Sequence, residues 1–167
     1  MSLETRVKIN KQGVNSIEKK MQEYNSRVLS AAAGLVADEM EAEALSAIAD
    51  FYSSYSPVSY KRTEQFLSGN FFKRYTKNSS WKYHYGGIRL SSSALGGYKS
   101  MSGQDVTEIV YNLVVFNGEH GRPQNFGAKS IPATAPPVIE RLYMKALEIQ
   151  KDSDIYISQA VGMVNFE

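Results

Sequence analysis

The fold of this chain depends on one long stretch, residues 15–57, which reads NSIEKKMQEYNSRVLSAAAGLVADEMEAEALSAIADFYSSYSP. Apolar side chains recur in it at steps of three and four residues, a spacing that predicts one face of an α-helix. Asn15 or Ser16 can cap the helix, and Pro57 ends it. The apolar face comprises Ile17, Met21, Tyr24, Val28, Ala32, Leu35, Val36, Ala44, Ile48, Phe51, Tyr52 and Tyr55.

The length of this helix bears on assembly. At about 1.5 Å per residue, a helix of roughly forty residues reaches about 60 Å, which one small core cannot cover. The helix must therefore bend near residues 31–34 or pack part of its length against another subunit. We favour the second alternative.

Shorter elements are predicted on both sides of the helix. Alternation of apolar and polar residues, typical of a half-buried strand, occurs at residues 3–10, 81–85, 106–116 and 155–163. Residues 57–80 read as irregular or briefly helical, Gly86-Gly87 as a turn or bulge, residues 91–103 as a Ser/Gly-rich loop and Asn117-Gly118 as a turn. Pro136-Pro137 opens a second helix that carries Val138, Leu142, Ala146 and Ile149.

Together these patterns predict an α+β fold in a single domain, residues 1–167. Its long N-terminal helix packs on a small antiparallel or mixed sheet, and a second helix follows towards the C-terminus. Residues 61–103 are expected to protrude as an extended, basic arm that is rich in aromatic, Gly and Ser residues.

The charge of the chain is segregated. Residues 61–99 contain eight basic side chains and one acid, Glu64, whereas the segments before and after carry net charges of −2 and −3. A cationic surface of this kind is expected to bind either a nucleic acid or the acidic face of a protein.

Sequence motifs for catalysis are weak, and we predict no enzyme, no metal site and no cofactor. The chain has no cysteine, and its two histidines, His84 and His120, stand in no metal-binding frame. No Gly-x-Ser-x-Gly segment marks a serine nucleophile, and residues 96–100 have Tyr98 where a phosphate loop needs glycine.

Two acidic residues, Glu39 and Glu43, lie one helical turn apart and could pair as general acid and base. With Asp38 and Glu41 beside them, they more often form a solvated acidic face. In an oligomer, this face could instead meet the basic segment of a neighbouring copy.

The rings of Trp81, Tyr83 and Tyr85 alternate with Lys82 and His84. Exposed rings on a basic strand can stack with nucleic-acid bases. Aromatic residues at alternate strand positions are more often the buried face of a sheet, and we favour that interpretation.

Several short motifs resemble the neck and tail-completion proteins of long-tailed bacteriophages, a family that includes minor tail protein Z-like chains. A short strand at Val7-Lys8-Ile9, Gly13 and an alanine-rich helix precede the motif Pro57-x-x-Tyr60-x-Arg62-Thr63-x-x-x-Leu67. The run from Val115 to Pro123 resembles the aromatic-plus-glycine strand end of the family. Ile131-Pro132 and Pro136-Pro137-Val138-Ile139 resemble the start of its second helix. Glu64 departs from the glycine that is common in the family.

The resemblance implies a structural role in the virion. Such proteins are not enzymes; they form a ring, commonly of six subunits, between the connector or stopper and the tail terminator or tail tube. DNA passes through the ring as cargo, and the particle is assembled in the cytoplasm of the host bacterium.

We therefore predict that the basic segment binds a protein partner, in a homo-oligomeric ring or in the next ring. The alternative is a nucleic-acid-binding module that uses the same segment, residues 61–99. Arg and aromatic residues tend to carry interface energy. The predicted partner-binding residues are Lys61, Arg62, Lys73, Arg74, Lys77 and Arg89, with Phe66, Phe71, Phe72, Tyr75 and Trp81 as buried anchors.

Overall fold

A computed structural model of the chain describes residues 11–53, 65–99, 102–120, 131–132 and 136–166. Its first element is helix α1, Lys11–Ser53, which has 43 residues. The predicted long helix is therefore confirmed. The strand predicted at residues 3–10 and the motif from Pro57 to Thr63 lie outside the described residues, as do Lys61 and Arg62.

An antiparallel hairpin lies along α1. Its strands are β1, Phe72–Ser80, and β2, Tyr83–Leu90, which pair from Phe72 opposite Leu90 to Ser80 opposite Tyr83. The strand predicted at residues 81–85 is partly wrong, because Trp81 and Lys82 form the turn between the strands. The irregularity in pairing lies between Asn78 and Ser80 instead of at Gly86-Gly87.

The close approach of the hairpin to α1 depends on Gly86. A Cβ atom at this position would lie 1.7 Å from the carbonyl oxygen of Ala33. The described part of the predicted arm, residues 65–99 and 102–103, thus contains a hairpin that packs on its own chain and does not protrude. The prediction of irregular structure over residues 57–80 is wrong from Phe72 onwards.

Helical structure replaces the strand predicted at residues 106–116. Helix α2, Thr107–Asn112, continues into a π-helical turn, Leu113–Asn117, which ends at Gly118 with a left-handed φ of 62°. The buried side chains are Tyr111, Val114 and Val115, at helical spacing, whereas Ile109 is exposed. The buried residues therefore follow the periodicity of a helix and not the alternation of a strand. Gly118 confirms a turn after Asn117, and the two-residue strands β3, Glu119–His120, and β4, Ile131–Pro132, pair beyond it.

Two helices complete the described chain. Helix α3, Val138–Lys151, begins directly after Pro137, and Val138, Leu142 and Ile149 are buried, so the second predicted helix is confirmed. Ala146, expected on the same face, is exposed. Helix α4, Ser153–Met163, contradicts the strand predicted at residues 155–163.

The inward-facing residues of this segment recur at four-residue steps, which is the spacing of one face of a helix and not of a strand. Ala160 is fully buried against Val28 and Ala32 of α1, with Tyr156 and Val164 packed at the edge of the same cluster. The two C-terminal helices therefore run antiparallel to α1 and cover one of its sides.

The main core lies between the second half of α1, the base of the hairpin, the π-helical turn and α3. Its buried members are Ala44, Ala47, Ile48, Phe51, Phe66, Phe71, Phe72, Leu95, Tyr111, Val114, Val115, Val138 and Leu142. A long N-terminal helix, a small antiparallel sheet and C-terminal helices confirm the α+β fold. Among the helices in the described ranges, none has the length and hydropathy needed to span a membrane.

Candidate interaction surfaces

The three phenylalanines predicted to anchor a partner lie in the core. Phe66 and Phe71 are completely buried and Phe72 nearly so, and their rings pack against one another and against Tyr52 and Tyr98. They hold the base of the hairpin on α1. Their assignment to a partner surface is therefore corrected: a ring that its own chain buries is not available to another molecule.

Arg74, another predicted partner residue, points towards α1. One of its terminal nitrogens lies 2.7 Å from a carboxylate oxygen of Asp38 and donates to the carbonyl oxygen of Gly34 at 3.2 Å. Glu41 lies 4.0 Å from its Nε. Arg74 thus pairs within the chain, across a contact that is largely open to water.

The acidic side chains of α1 are also engaged by α3. Arg141 binds Glu43 at 2.6 Å, and it pairs with Asp50 as well. The ammonium group of Lys145 lies 3.4 Å from Glu39. Burial lowers the pKa of Lys145, but hydrogen bonds and charges from Glu148 and Glu39 outweigh that effect and raise the pKa above its ordinary value. Glu39 and Glu43 therefore help to hold α3 on α1 and do not form an isolated acid–base pair.

The hairpin divides its side chains between two faces. Successive residues of a strand point to opposite sides. Phe72, Arg74 and Gly86 contact α1 or the core, so the residues between them point away from it. We call this second set the outer face of the hairpin: Lys73, Tyr75, Lys77, Ser79, Tyr83, Tyr85, Gly87 and Arg89.

The tyrosines of the outer face are open to solvent. Tyr83 is 60% exposed and Tyr85 51%, and Trp81 at the turn is also exposed. The interpretation of these rings as the buried face of a sheet is therefore wrong. Tyr75, whose ring lies over Gly87, lines a shallow hollow together with Lys77, Ser79, Tyr85, Ile88 and Arg89.

Two cations of the outer face stand opposite each other, and a third lies four residues further along β1. Lys73 stands directly opposite Arg89 in the strand pairing, and the guanidinium carbon of Arg89 lies 5.8 Å from the centroid of the Tyr75 ring. Lys77 stands opposite Tyr85. None of these three cations forms an ion pair with a carboxylate in the described part of the chain.

A second surface lies at the N-terminal end of α1. Val14, Ile17 and Met21 follow at helical steps and are exposed, with Ile17 at 62% and Met21 at 52%. We call these three residues the α1 stripe. Together with Trp81 they line an apolar groove. The stripe continues the line of Tyr24 and Val28, which the C-terminal region of the chain covers.

A third surface lies on the solvent side of α3. Tyr143, Met144 and Leu147 are exposed there, opposite the buried Leu142 and Ile149. We call this set the α3 ridge. Sequence reasoning missed it because only the buried face of the helix was considered. A signal was present, since the helix has more large apolar residues than one face can hold.

Chemical groups that could support catalysis are not brought together in the described residues. Nε2 of His84 lies 3.3 Å from the hydroxyl of Ser26, and no carboxylate joins the pair. The side chain of His120 lies outside the part of the structure that is described. Within the described ranges, no three His, Cys, Asp or Glu side chains form a group that could hold a metal ion.

The chain was compared with protein-family models, with curated proteins and with solved structures, and none of the three comparisons found a match. We therefore infer function from the outer face of the hairpin, the α1 stripe and the α3 ridge.

Proposed function

We propose that this chain is a structural subunit of a tailed bacteriophage particle. It assembles with copies of itself into a ring at the head–tail junction, between the connector and the tail tube, and has no enzymatic activity. The family that the sequence resembles forms such rings, commonly of six copies. A long helix, a small sheet and a second helix also follow one another in the order expected from that resemblance.

The observation that supports self-assembly most is the uncovered α1 stripe. Full burial of an aliphatic side chain of this size is worth about 1.5–3 kcal/mol relative to exposure. The second half of α1 gains this energy from the core, and its middle gains it from α4. Val14, Ile17 and Met21 gain only part of it from the described residues, since they remain about half exposed although they continue the same line.

The α3 ridge of a second copy is the cover that we assign to the stripe. Both surfaces consist of three exposed, mainly apolar side chains on a helix, so they can pack as two helices do. Because stripe and ridge are different surfaces, the contact is head-to-tail. Repeated contacts of this kind close into a ring when the rotation between copies divides a full turn.

Mass measurement of the purified protein tests self-assembly. We expect native mass spectrometry to give a multiple of the 18.6 kDa chain. The double variant Ile17→Asp/Met21→Asp should be a monomer, because two carboxylates would be buried without partners. Ile109→Asp is the control, since this side chain is 51% exposed on α2, outside both surfaces.

Position in the virion is tested separately by antibody labelling of purified particles. Label at the head–tail junction is the expected result. A monomeric mass for both the purified and the virion-bound protein would contradict the proposal, as would particles that carry no copy of the chain.

A further inference from the structure

We propose that the outer face of the hairpin is a binding site for single-stranded nucleic acid. In this site Tyr75, Tyr83 and Tyr85 stack with unpaired bases, and Lys73, Lys77 and Arg89 neutralise phosphates. The site is separate from the α1 stripe and the α3 ridge, and it does not depend on the ring proposed above.

The outer face of the hairpin is cationic. Neither strand of the hairpin contains Asp or Glu. Lys73 and Arg89 stand directly opposite each other, and like charges at such positions destabilise a sheet. No described carboxylate relieves this repulsion. A chain of phosphates would relieve it, because its charges can lie between and beside the cations.

The rings of the outer face are exposed. A tyrosine that serves only to fill a sheet is buried, whereas the rings of Tyr83 and Tyr85 are mostly open to solvent. Every nucleobase has a π-face, so stacking on such rings does not depend on sequence. Duplex DNA keeps its bases stacked internally, and unpaired bases are therefore the better match.

The spacing of the rings fits an extended single strand. Tyr83 and Tyr85 are two residues apart on one strand, which separates equivalent atoms by about 6.8 Å. This is about twice the 3.4 Å rise per nucleotide of a DNA strand in a duplex. A single strand can unstack and extend to place one base on each ring, whereas a base-paired strand cannot.

The composition of the face argues against an acidic protein as its occupant. The centre of a protein interface is enriched in aromatic residues and Arg but depleted in Lys, so the lysines of this face are the residues that do not fit. Among the described residues, the hollow is lined mainly by tyrosines, Lys77 and Arg89, and Ile88 is the only aliphatic one. Cations that alternate with rings match the alternation of phosphates and bases along a nucleic-acid strand.

Binding of a fluorescently labelled single-stranded oligothymidine tests the site, with fluorescence anisotropy as the readout. Three neutralised phosphates on a single strand predict a slope of about −2 in a plot of log affinity against log salt concentration. Affinity should then fall about 15-fold between about 50 and 200 mM salt. Absence of binding at about 50 mM salt would overturn the proposal.

Variants of the cations test the assignment to this face. Lys77→Gln/Arg89→Gln should weaken binding about tenfold or more and reduce the salt slope to about −0.7. The control Lys20→Gln/Lys151→Gln removes the same charge from exposed positions on α1 and α3, and should bind as the unchanged protein does. Equal losses in both variants would mean non-specific attraction and would overturn the assignment.

Variants of the rings separate stacking from charge. Tyr83→Ala and Tyr85→Ala should each weaken binding about fivefold or more, because stacking on a base is worth at least that much. Tyr83→Phe and Tyr85→Phe keep the ring and should retain the affinity, which also shows that the hairpin still folds. Alanine variants that bind as well as the unchanged protein would overturn the proposal.

A competition experiment distinguishes the two kinds of polyanion. Polyglutamate, added at the same concentration of negative charge, should displace the oligothymidine poorly, because it has no rings to stack. Equal displacement would identify an acidic protein as the occupant and overturn the proposal. The mass of the assembly should be the same in all hairpin variants, so failure of this site and failure of the ring are distinguishable.

Discussion

The substitution Gly86→Ala tests the contact between the hairpin and α1 most sharply. The added Cβ would lie 1.7 Å from the carbonyl oxygen, 2.6 Å from the carbonyl carbon and 2.9 Å from the Cα of Ala33. A Cβ atom essentially never comes within 3.0 Å of another heavy atom, so the approach to the carbonyl oxygen is about 1.3 Å too short. All three obstructing atoms belong to a helix backbone, which cannot rotate away as a side chain can.

The expected cost follows from that geometry. Overpacking in a well-packed region typically destabilises a protein by about 1–3 kcal/mol, and we expect Gly86→Ala at or above the upper end because the hairpin must shift away from α1. At about 2–4 °C per kcal/mol for a chain of this size, the melting temperature should fall by at least about 6 °C. The control Gly96→Ala meets nothing within 4 Å and should change stability by less than about 0.5 kcal/mol.

Urea denaturation measures both variants. The midpoint for Gly86→Ala should fall with little change in the slope m, since the surface exposed on unfolding stays nearly the same. Equal midpoints for Gly86→Ala and the unchanged protein would show that the hairpin does not lie on α1. The division of the hairpin into an inner and an outer face would then lose its basis.

Three further predictions concern the core, an ion pair and pH. Phe66→Ala should destabilise the free protein by about 3–5 kcal/mol in urea denaturation, whereas the exposed Leu67→Ala should cost less than about 0.5 kcal/mol; a reversed order would return Phe66 to a partner surface. Arg141→Met should cost about 2 kcal/mol, because it leaves two carboxylates of α1 without their cation, and a neutral effect would refute that contact. The hydrogen bond that the backbone N–H of Thr107 donates to Asp105 at 2.8 Å lowers the pKa of Asp105 below 3.8; the stability it gives is present above pH 3.8 and is lost as the pH falls through the lower, folded-state pKa. An NMR titration of Asp105 that gives a pKa above 3.8 would contradict this.

The parts of the fold that could be predicted from the sequence are those with one dominant signal. Helix α1 repeats its apolar spacing over many turns, and chance rarely produces so long a pattern. Helix α3 combines a start signal, Pro136-Pro137, with buried residues at helical steps. In both helices the local pattern and the tertiary packing agree.

The wrong predictions arose where a segment carries two patterns at once. In residues 106–116, the alternation of Ile109, Tyr111 and Val115 coexists with the helical spacing of Tyr111, Val114 and Val115. Only contact with the core decides which set is buried. Strand β1 shows the opposite difficulty: every residue after Phe72 is exposed, so no apolar periodicity marks it as a strand.

The outer face of the hairpin could also be predicted from the sequence only in part. The excess of positive charge in residues 61–99 was visible in the sequence, and its cations do form an exposed face. The sequence did not show which aromatic residues are buried, because a hydrophobicity pattern does not distinguish Phe66 and Phe71 from Tyr83 and Tyr85. Their separation depends on where the hairpin meets α1, and that contact is fixed by the missing side chain at Gly86.

Disulfide trapping between copies tests directly whether the α1 stripe of one copy packs on the α3 ridge of the next. The chain contains no cysteine, so Ile17→Cys and Met144→Cys introduce the only thiols. When the two single variants are mixed and oxidised, we expect a covalent pair that joins one copy of each. The double variant Ile17→Cys/Met144→Cys should give a ladder that ends at the number of copies in the ring. Pairs that form no faster than those of Ile17→Cys with Ile109→Cys would contradict the account.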